Sequence, residues 1–164
     1  MTDSLIRLYH QKGIIIDTNI LLLLLVGSVN QKRIVQFKRT QQFTPEDYQL
    51  LLRIISKFTN IVTTPNILTE VNSLANQLGE PERSECFALF AQFVQDVTLL
   101  NESYIKSVDA VNAEKFIKFG LTDCGILTLA RDSYLILTDD FKLANYLLSL
   151  GIDVINFNNL RDFN

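Results

Sequence analysis

Cysteine, histidine, proline and tryptophan are all scarce in this 164-residue chain, which has two cysteines, one histidine, three prolines and no tryptophan. Cys86 and Cys124 stand far apart and form no Cys-x-x-Cys pair, and His10 is alone, so no ligand set for zinc exists. So few cysteines imply a reduced, cytoplasmic setting. Long apolar runs are missing too. The longest, Gly13–Val26, follows Arg7 and Lys12 as the core of a signal peptide would, but it falls short of the ~20 residues a membrane span needs. Asp17, Thr18 and Asn19 also interrupt it, and a charge at that depth in a bilayer is costly. The run is read as a buried strand leading into a buried helix, with no membrane partner. An excess of positive charge is likewise absent. Against 18 acids stand 15 bases, a net charge of −3, which argues against holding nucleic acid by bulk charge.

What is present is an ordinary globular composition, 48% hydrophobic and 20% charged, in a chain long enough for one domain, residues 1–164. Apolar β-branched runs at Ile14–Ile16 and Ile61–Thr63, with Val97–Leu100, Tyr134–Leu137 and Asp153–Phe157, read as strands. Between them lie helical patterns. Thr44-Pro45 and Thr64-Pro65 each pair an N-cap with a first-turn proline. Helices are expected from Asn19 to about Gly27, after Pro45, after Pro65, after Pro81, over Ser103–Phe119, from Asp123 to Asp132 behind a Thr122 cap, and over Phe141–Leu150. The longest turn-like stretch is Ser28–Phe43. Strands separated by helices imply an α/β fold: a single three-layer domain with a central parallel sheet of four to five strands and helices on both faces.

Ligands of such sheets bind beyond the carboxyl ends of the strands. Asp17 follows Ile14–Ile16, and Asp139 and Asp140 follow Leu135–Thr138. Two more acids sit on apolar helix faces, Asp123 with Ile126, Leu127 and Ala130, and Glu70 beside Ile67 and Leu74. A carboxylate on a packing face is costly without a partner, and several converging ones are best satisfied by a divalent cation. Oxygen ligands favour Mg²⁺ or Mn²⁺. Each acid also has a plain structural reading. Asp123 gains from a helix N-terminus, Asp140 sits in the first turn of its helix with Asp139 as the cap, and Glu70 pairs with a surface base.

Taken together, Ile14-Ile15-Ile16-Asp17-Thr18-Asn19, Thr64-Pro65-Asn66-Ile67-Leu68-Thr69-Glu70-Val71, Leu121-Thr122-Asp123-Cys124-Gly125-Ile126-Leu127 and Ile136-Leu137-Thr138-Asp139-Asp140 resemble the successive acidic motifs of the PIN-domain ribonucleases. The resemblance spans residues 13 to 157. It implies a PIN-like fold and metal-dependent hydrolysis of RNA phosphodiester bonds, leaving a 5′-phosphate and a 3′-hydroxyl. Asp17, Glu70, Asp123 and Asp140 would be the metal-binding, catalytic carboxylates, and Asn19 and Thr138 their polar supports. The Thr-x-Asp pattern selects Asp140 and leaves Asp139 a supporting or capping role. The resemblance further implies a homodimer and, for the toxin members of toxin–antitoxin pairs, an antitoxin protein that blocks the acidic pocket. The stretch Ser28–Phe58 is longer than its counterpart in the compact toxins.

Between Thr18 and Pro45 there is no acid, while Lys32, Arg33, Lys38 and Arg39 surround Phe37. The cluster reads equally as an RNA-contacting patch with a stacking ring or as a solvated surface. Two rival functions stand beside the nuclease. A haloacid-dehalogenase-like phosphatase would use Asp17 as nucleophile but needs an acid two residues on, where Asn19 stands. A non-catalytic PIN-like module would bind RNA or protein without needing the acids. Without the four acids the balance is 14 against 15, so the acidity of the chain is on this reading the acidity of its site.

Overall fold

Three consecutive isoleucines with no measurable exposure to speak of, Ile14–Ile16 (β1), form the middle of a five-stranded sheet. The computed structural model describes residues 2–131 and 134–161. In chain order, α1 (Thr2–Tyr9) precedes β1, and α2 (Thr18–Val29), a single 3-10 turn (Gln31–Arg33) and α3 (Pro45–Ile55) lead to β2 (Ile61–Thr63). Next come α4 (Pro65–Ala75), α5 (Glu82–Gln95), β3 (Leu100–Glu102), α6 (Ser107–Val111) and α7 (Phe116–Ala130). The chain closes with β4 (Leu135–Thr138), α8 (Phe141–Ser149), β5 (Val154–Asn156) and α9 (Asn158–Arg161). All strand pairs are parallel, in the order β3-β2-β1-β4-β5. The chain winds outward from β1 to β3, then returns to the other side of β1 for β4 and β5. That reversal puts a topological switch point between the carboxyl ends of β1 and β4.

The expected three-layer α/β class is therefore the observed one, with five strands. The central strands are buried along their whole length, which is why they read as unbroken apolar runs. Helix α2 is buried almost all round, so its leucine run carries no stripe; it packs against α3, α4 and α5. It passes straight through Gly27 and ends at Asn30. Gly27 is there for contact, since a Cβ at that position would lie 2.3 Å from the Tyr48 ring.

Several boundaries differ from expectation. The third strand is Leu100–Glu102 and not Val97–Leu100. Asp96 draws residues 97–99 into a turn through bonds from the Thr98 and Leu99 amides, and Val97 is left 83% exposed. The helix expected over Ser103–Phe119 is two pieces, α6 and the start of α7. Thr122 caps nothing, because the chain reaches it already helical after a break at Gly120 (φ 80°, ψ −174°), a conformation open essentially to glycine alone. The expected ends of that helix at Asp132 lie outside the described residues. Helices α1 and α9 have no expected counterpart. Tyr9 of α1 donates to Asp153 at 2.7 Å, tying that helix to the start of β5. Among the described residues no helix is long and apolar enough to cross a membrane.

Candidate functional site

Asp17 ends β1 and is the N-cap of α2, the position between an apolar strand and an apolar helix that forces its side chain inside; it is 7% exposed. Its Oδ1 accepts from the Thr18 amide at 2.7 Å and its Oδ2 from the Thr138 hydroxyl, at the end of the neighbouring β4, at 2.5 Å. The Thr138 hydroxyl also accepts the Asp140 amide at 3.0 Å. One threonine thus fixes the strand ends on both sides of the switch point. Burial pushes the Asp17 carboxyl up to about 6, against the pull of those two hydrogen bonds, and the charges of Asp139 and Asp140 add to the rise.

Asp123, on the half-buried face of α7, is raised to about 7, first by burial and then by the charges of Asp17, Asp140 and Glu70. This mutual influence brings the four expected carboxylates into one electrostatic neighbourhood, from four separate stretches of chain. Glu70, on α4, accepts the Thr18 hydroxyl at 3.1 Å through Oε2 and the Thr122 hydroxyl at 2.6 Å through Oε1. Asp140 caps α8, its Oδ1 accepting the Lys142 amide at 2.7 Å and the Leu143 amide at 3.1 Å. The cap of α8 is therefore Asp140 and not Asp139, the reverse of the plain structural reading, which puts Asp140 inside the first turn. None of the four forms an ion pair among the described residues, so Glu70 has no surface base as its partner.

Asp139 sits in a cradle of amides. Asn19 Nδ2 donates to its Oδ1 at 3.3 Å, the Gln42 side chain hydrogen-bonds it, and Asn158 Nδ2 donates to its carbonyl at 2.7 Å. Its pKa is raised, chiefly by burial, with the Asn19 bond opposing. Asn19 thus supports Asp139, while Thr138 supports Asp17. From the sequence, Gln42, Thr18 and Asn158 have no role, and Thr122 reads only as a helix cap. Thr18 and Thr122 each adjoin an acid in the motifs, the one signal that marked them; Gln42 and Asn158 lie in stretches with no pattern.

The donor set is all oxygen, the class that Mg²⁺ and Mn²⁺ take. Among the described residues, however, no group of three His, Cys, Asp or Glu side chains is disposed to hold a metal ion, and the oxygens of Asp17 and Glu70 are turned to hydroxyls and an amide.

The basic cluster is placed elsewhere. Helix α2 starts at the acids and runs about 18 Å before Asn30, so Lys32, Arg33, Lys38 and Arg39 follow its far end. Arg33 lies 3.6 Å from Glu82 at the start of α5, and Arg39 donates to Gln77, just past α4, at 2.9 Å. Arg33 and Arg39 are thus engaged with partners other than the site carboxylates. The expected stacking ring is also lost: Phe37 is buried in the core, because the 3-10 turn and the bends after it fold its apolar side inward. His10, Cys86 and Cys124 take no part in the site; both thiols are buried, and burial pushes that of Cys86 up to about 11.

Compared with known proteins, the chain matches no family model, no curated protein and no solved structure.

Proposed function

We propose that the chain is a Mg²⁺- or Mn²⁺-dependent endoribonuclease of the PIN type. One observation carries the reading: four carboxylates from four motifs converge at the switch point of a parallel sheet, with no cationic side chain paired to them among the described residues. Asp17, Asp123 and Asp140, with Glu70, would hold the ion, which when bound supplies an activated water and charge stabilisation for in-line displacement at phosphorus.

The chain's own residues do the rest. Thr138 orients Asp17, and Thr18 and Thr122 orient Glu70, without cancelling either charge. Asp140 commits Oδ1 to the helix amides, which fixes the rotamer and leaves Oδ2 for a ligand. Asp123, raised to about 7 by burial and then by its acidic neighbours, takes a proton near neutrality when nothing else offsets those charges. The direct test is RNA cleavage with Mn²⁺ by the parent and Asp17→Asn, with the product ends identified. Equal activity in the two refutes the assignment.

The phosphatase reading loses ground, since the residue two after Asp17 is an amide already engaged with Asp139. The non-catalytic module keeps one observation in its favour, the absence of a preformed three-acid metal site among the described residues. Calorimetric titration with Mn²⁺ decides between module and enzyme, because only the enzyme requires binding that is lost in Asp17→Asn. A cytoplasmic toxin role, an antitoxin partner and a homodimer go with the nuclease reading. Arrested growth on induced expression, relieved by Asp17→Asn, is the outcome the toxin role requires.

A further inference from the structure

A cavity of about 760 Å³ opens next to the Asp139–Asp140 strand end, and nothing in the nuclease reading uses it. It is lined by the start of α3, the exposed ring of Phe141, Asn158 and two guanidinium groups, Arg53 and Arg161. None of the four carboxylates lines it, but two of its residues adjoin the acidic strand end. Phe141 follows Asp140 directly, and Asn158 holds the Asp139 carbonyl at 2.7 Å. Phe141 is 54% exposed at the first position of α8, although the other apolar residues of that helix nearest it, Leu143 and Ala144, are buried.

The two arginines differ. Arg161 is spent on structure: it lies 3.0 Å from Asp47, donates to the Gln42 carbonyl at 2.6 Å and to Asn158 at 3.1 Å, and stacks over Phe43. It also neutralises Asp47. Arg53 is exposed and has no ion pair among the described residues, so its guanidinium is available to an anion, although the exposed Glu46 lines the same cavity. The volume falls in the range of small-ligand sites. An exposed ring, amide side chains and a guanidinium in one concavity are what an unpaired nucleotide uses, through stacking, base-edge hydrogen bonds and phosphate contact.

We infer that this cavity is the subsite for one unpaired nucleotide of a single-stranded substrate, its base stacked on Phe141 and a phosphate met by Arg53. The inference deepens the nuclease reading and rests on it for the substrate class. A paired base cannot reach the ring without leaving its stack, so the subsite makes the protein select single strands.

The test is fluorescence anisotropy of the full chain with a short labelled single-stranded RNA, in EDTA so that no cleavage occurs. Phe141→Ala and Arg53→Gln are each expected to weaken binding about tenfold, the lower range for loss of one stacked base. Phe141→Tyr is expected to restore it, which separates lost stacking from lost folding. The matching duplex is expected to bind more weakly than the strand. Parent-like binding by Phe141→Ala overturns the inference, as does a duplex bound as tightly as the strand. So does a nucleoside monophosphate that competes at the oligomer's own concentration, since the cavity would then serve free nucleotides. Phe141-dependent binding by a protein that cleaves nothing supports the subsite and removes only the nuclease reading. Cleavage with an unaltered KM in Phe141→Ala removes only the subsite.

Discussion

Replacing Asp17 by asparagine is expected to stabilise the protein above neutral pH and to leave it nearly unchanged in acid. In the unfolded chain this carboxyl titrates near 3.8; in the fold it titrates near 6. A raised carboxyl pKa means that the folded state holds the proton more tightly. The protonated side chain therefore costs nothing extra in acid, and stability declines as pH climbs from about 4 through about 6, then levels. The size of the decline is about 3 kcal/mol, at 1.36 kcal/mol per tenfold in proton affinity. Asparagine is close in shape and neutral throughout. It keeps an acceptor for the Thr18 amide and turns a donor toward the Thr138 oxygen. It also removes one of the charges that raise Asp123, which adds to the gain. The assay is urea unfolding in EDTA at pH 4 and pH 8. With a urea dependence of about 1–3 kcal/mol per molar, the midpoint difference between variant and parent should grow by about 1 M or more between the two pH values. A difference that is the same at both, or larger in acid, refutes the claim that a buried, unpaired charge sits at position 17.

Three further outcomes follow from the same geometry. Mn²⁺ at a hundredfold excess over its Kd is expected to stabilise the parent by about 2.7 kcal/mol, or roughly 5–10 °C in Tm, and not to shift Asp123→Asn; the gain should shrink below pH 6, where protons compete for the carboxylates. Thr138→Val removes a donor to Asp17 and an acceptor for the Asp140 amide, so the Asp17 pKa, read by NMR titration, should rise further and stability should fall by about 1–3 kcal/mol. Gly27→Ala drives a methyl against the Tyr48 ring, and chemical denaturation should show a loss of about 1–3 kcal/mol with no change in Mn²⁺ binding.

The sheet was legible because its central strands are buried on both faces, so Ile14–Ile16 and Leu135–Leu137 carry no polar residue to blur them. The edge strand was not, because only Leu100 of its three residues is buried and its position follows from pairing with Ile61–Thr63, a non-local fact. Thr44 and Thr64 announced their helices by local chemistry and do cap them, Thr44 in a reciprocal box with Asp47. Thr122 offered the same local sign and is used instead by Glu70, from a different helix. The acids were visible as charges at strand ends and on apolar faces. Their amide and hydroxyl partners were not, since a glutamine such as Gln42 looks alike on any surface until the fold brings it to Asp139. Phe37 failed for the opposite reason: basic neighbours suggested a surface ring, but every third side chain of that compact stretch, Ile34, Phe37 and Thr40, turns inward.

The choice of partners at the site has its own consequence. A buried carboxylate needs its oxygens satisfied, and a lysine or arginine would do so while cancelling the charge. Asp17 and Glu70 are held by Thr18, Thr122 and Thr138, whose hydroxyls satisfy lone pairs and leave the charge in place. Arginine is available nearby, yet Arg161 is bound to Asp47 on α3 and not to the switch-point acids. The result is a set of carboxylates whose burial, and after it their mutual repulsion, raises the proton affinity of Asp17 and Asp123. Only two things offset those buried charges without rebuilding the site, a proton in acid or a cation at neutral pH. If the role of the cluster were structural, exchanging Thr122 for valine and Glu70 for leucine together should lower the melting temperature in EDTA, since the Thr18 hydroxyl would also lose its acceptor. A divalent site predicts instead that the double exchange at Thr122 and Glu70 folds, and melts at least as high as the parent in EDTA, but has lost the Mn²⁺-dependent gain in Tm. Retention of that gain would place the ion, if one binds, away from the convergence of acids and detach the function from the geometry.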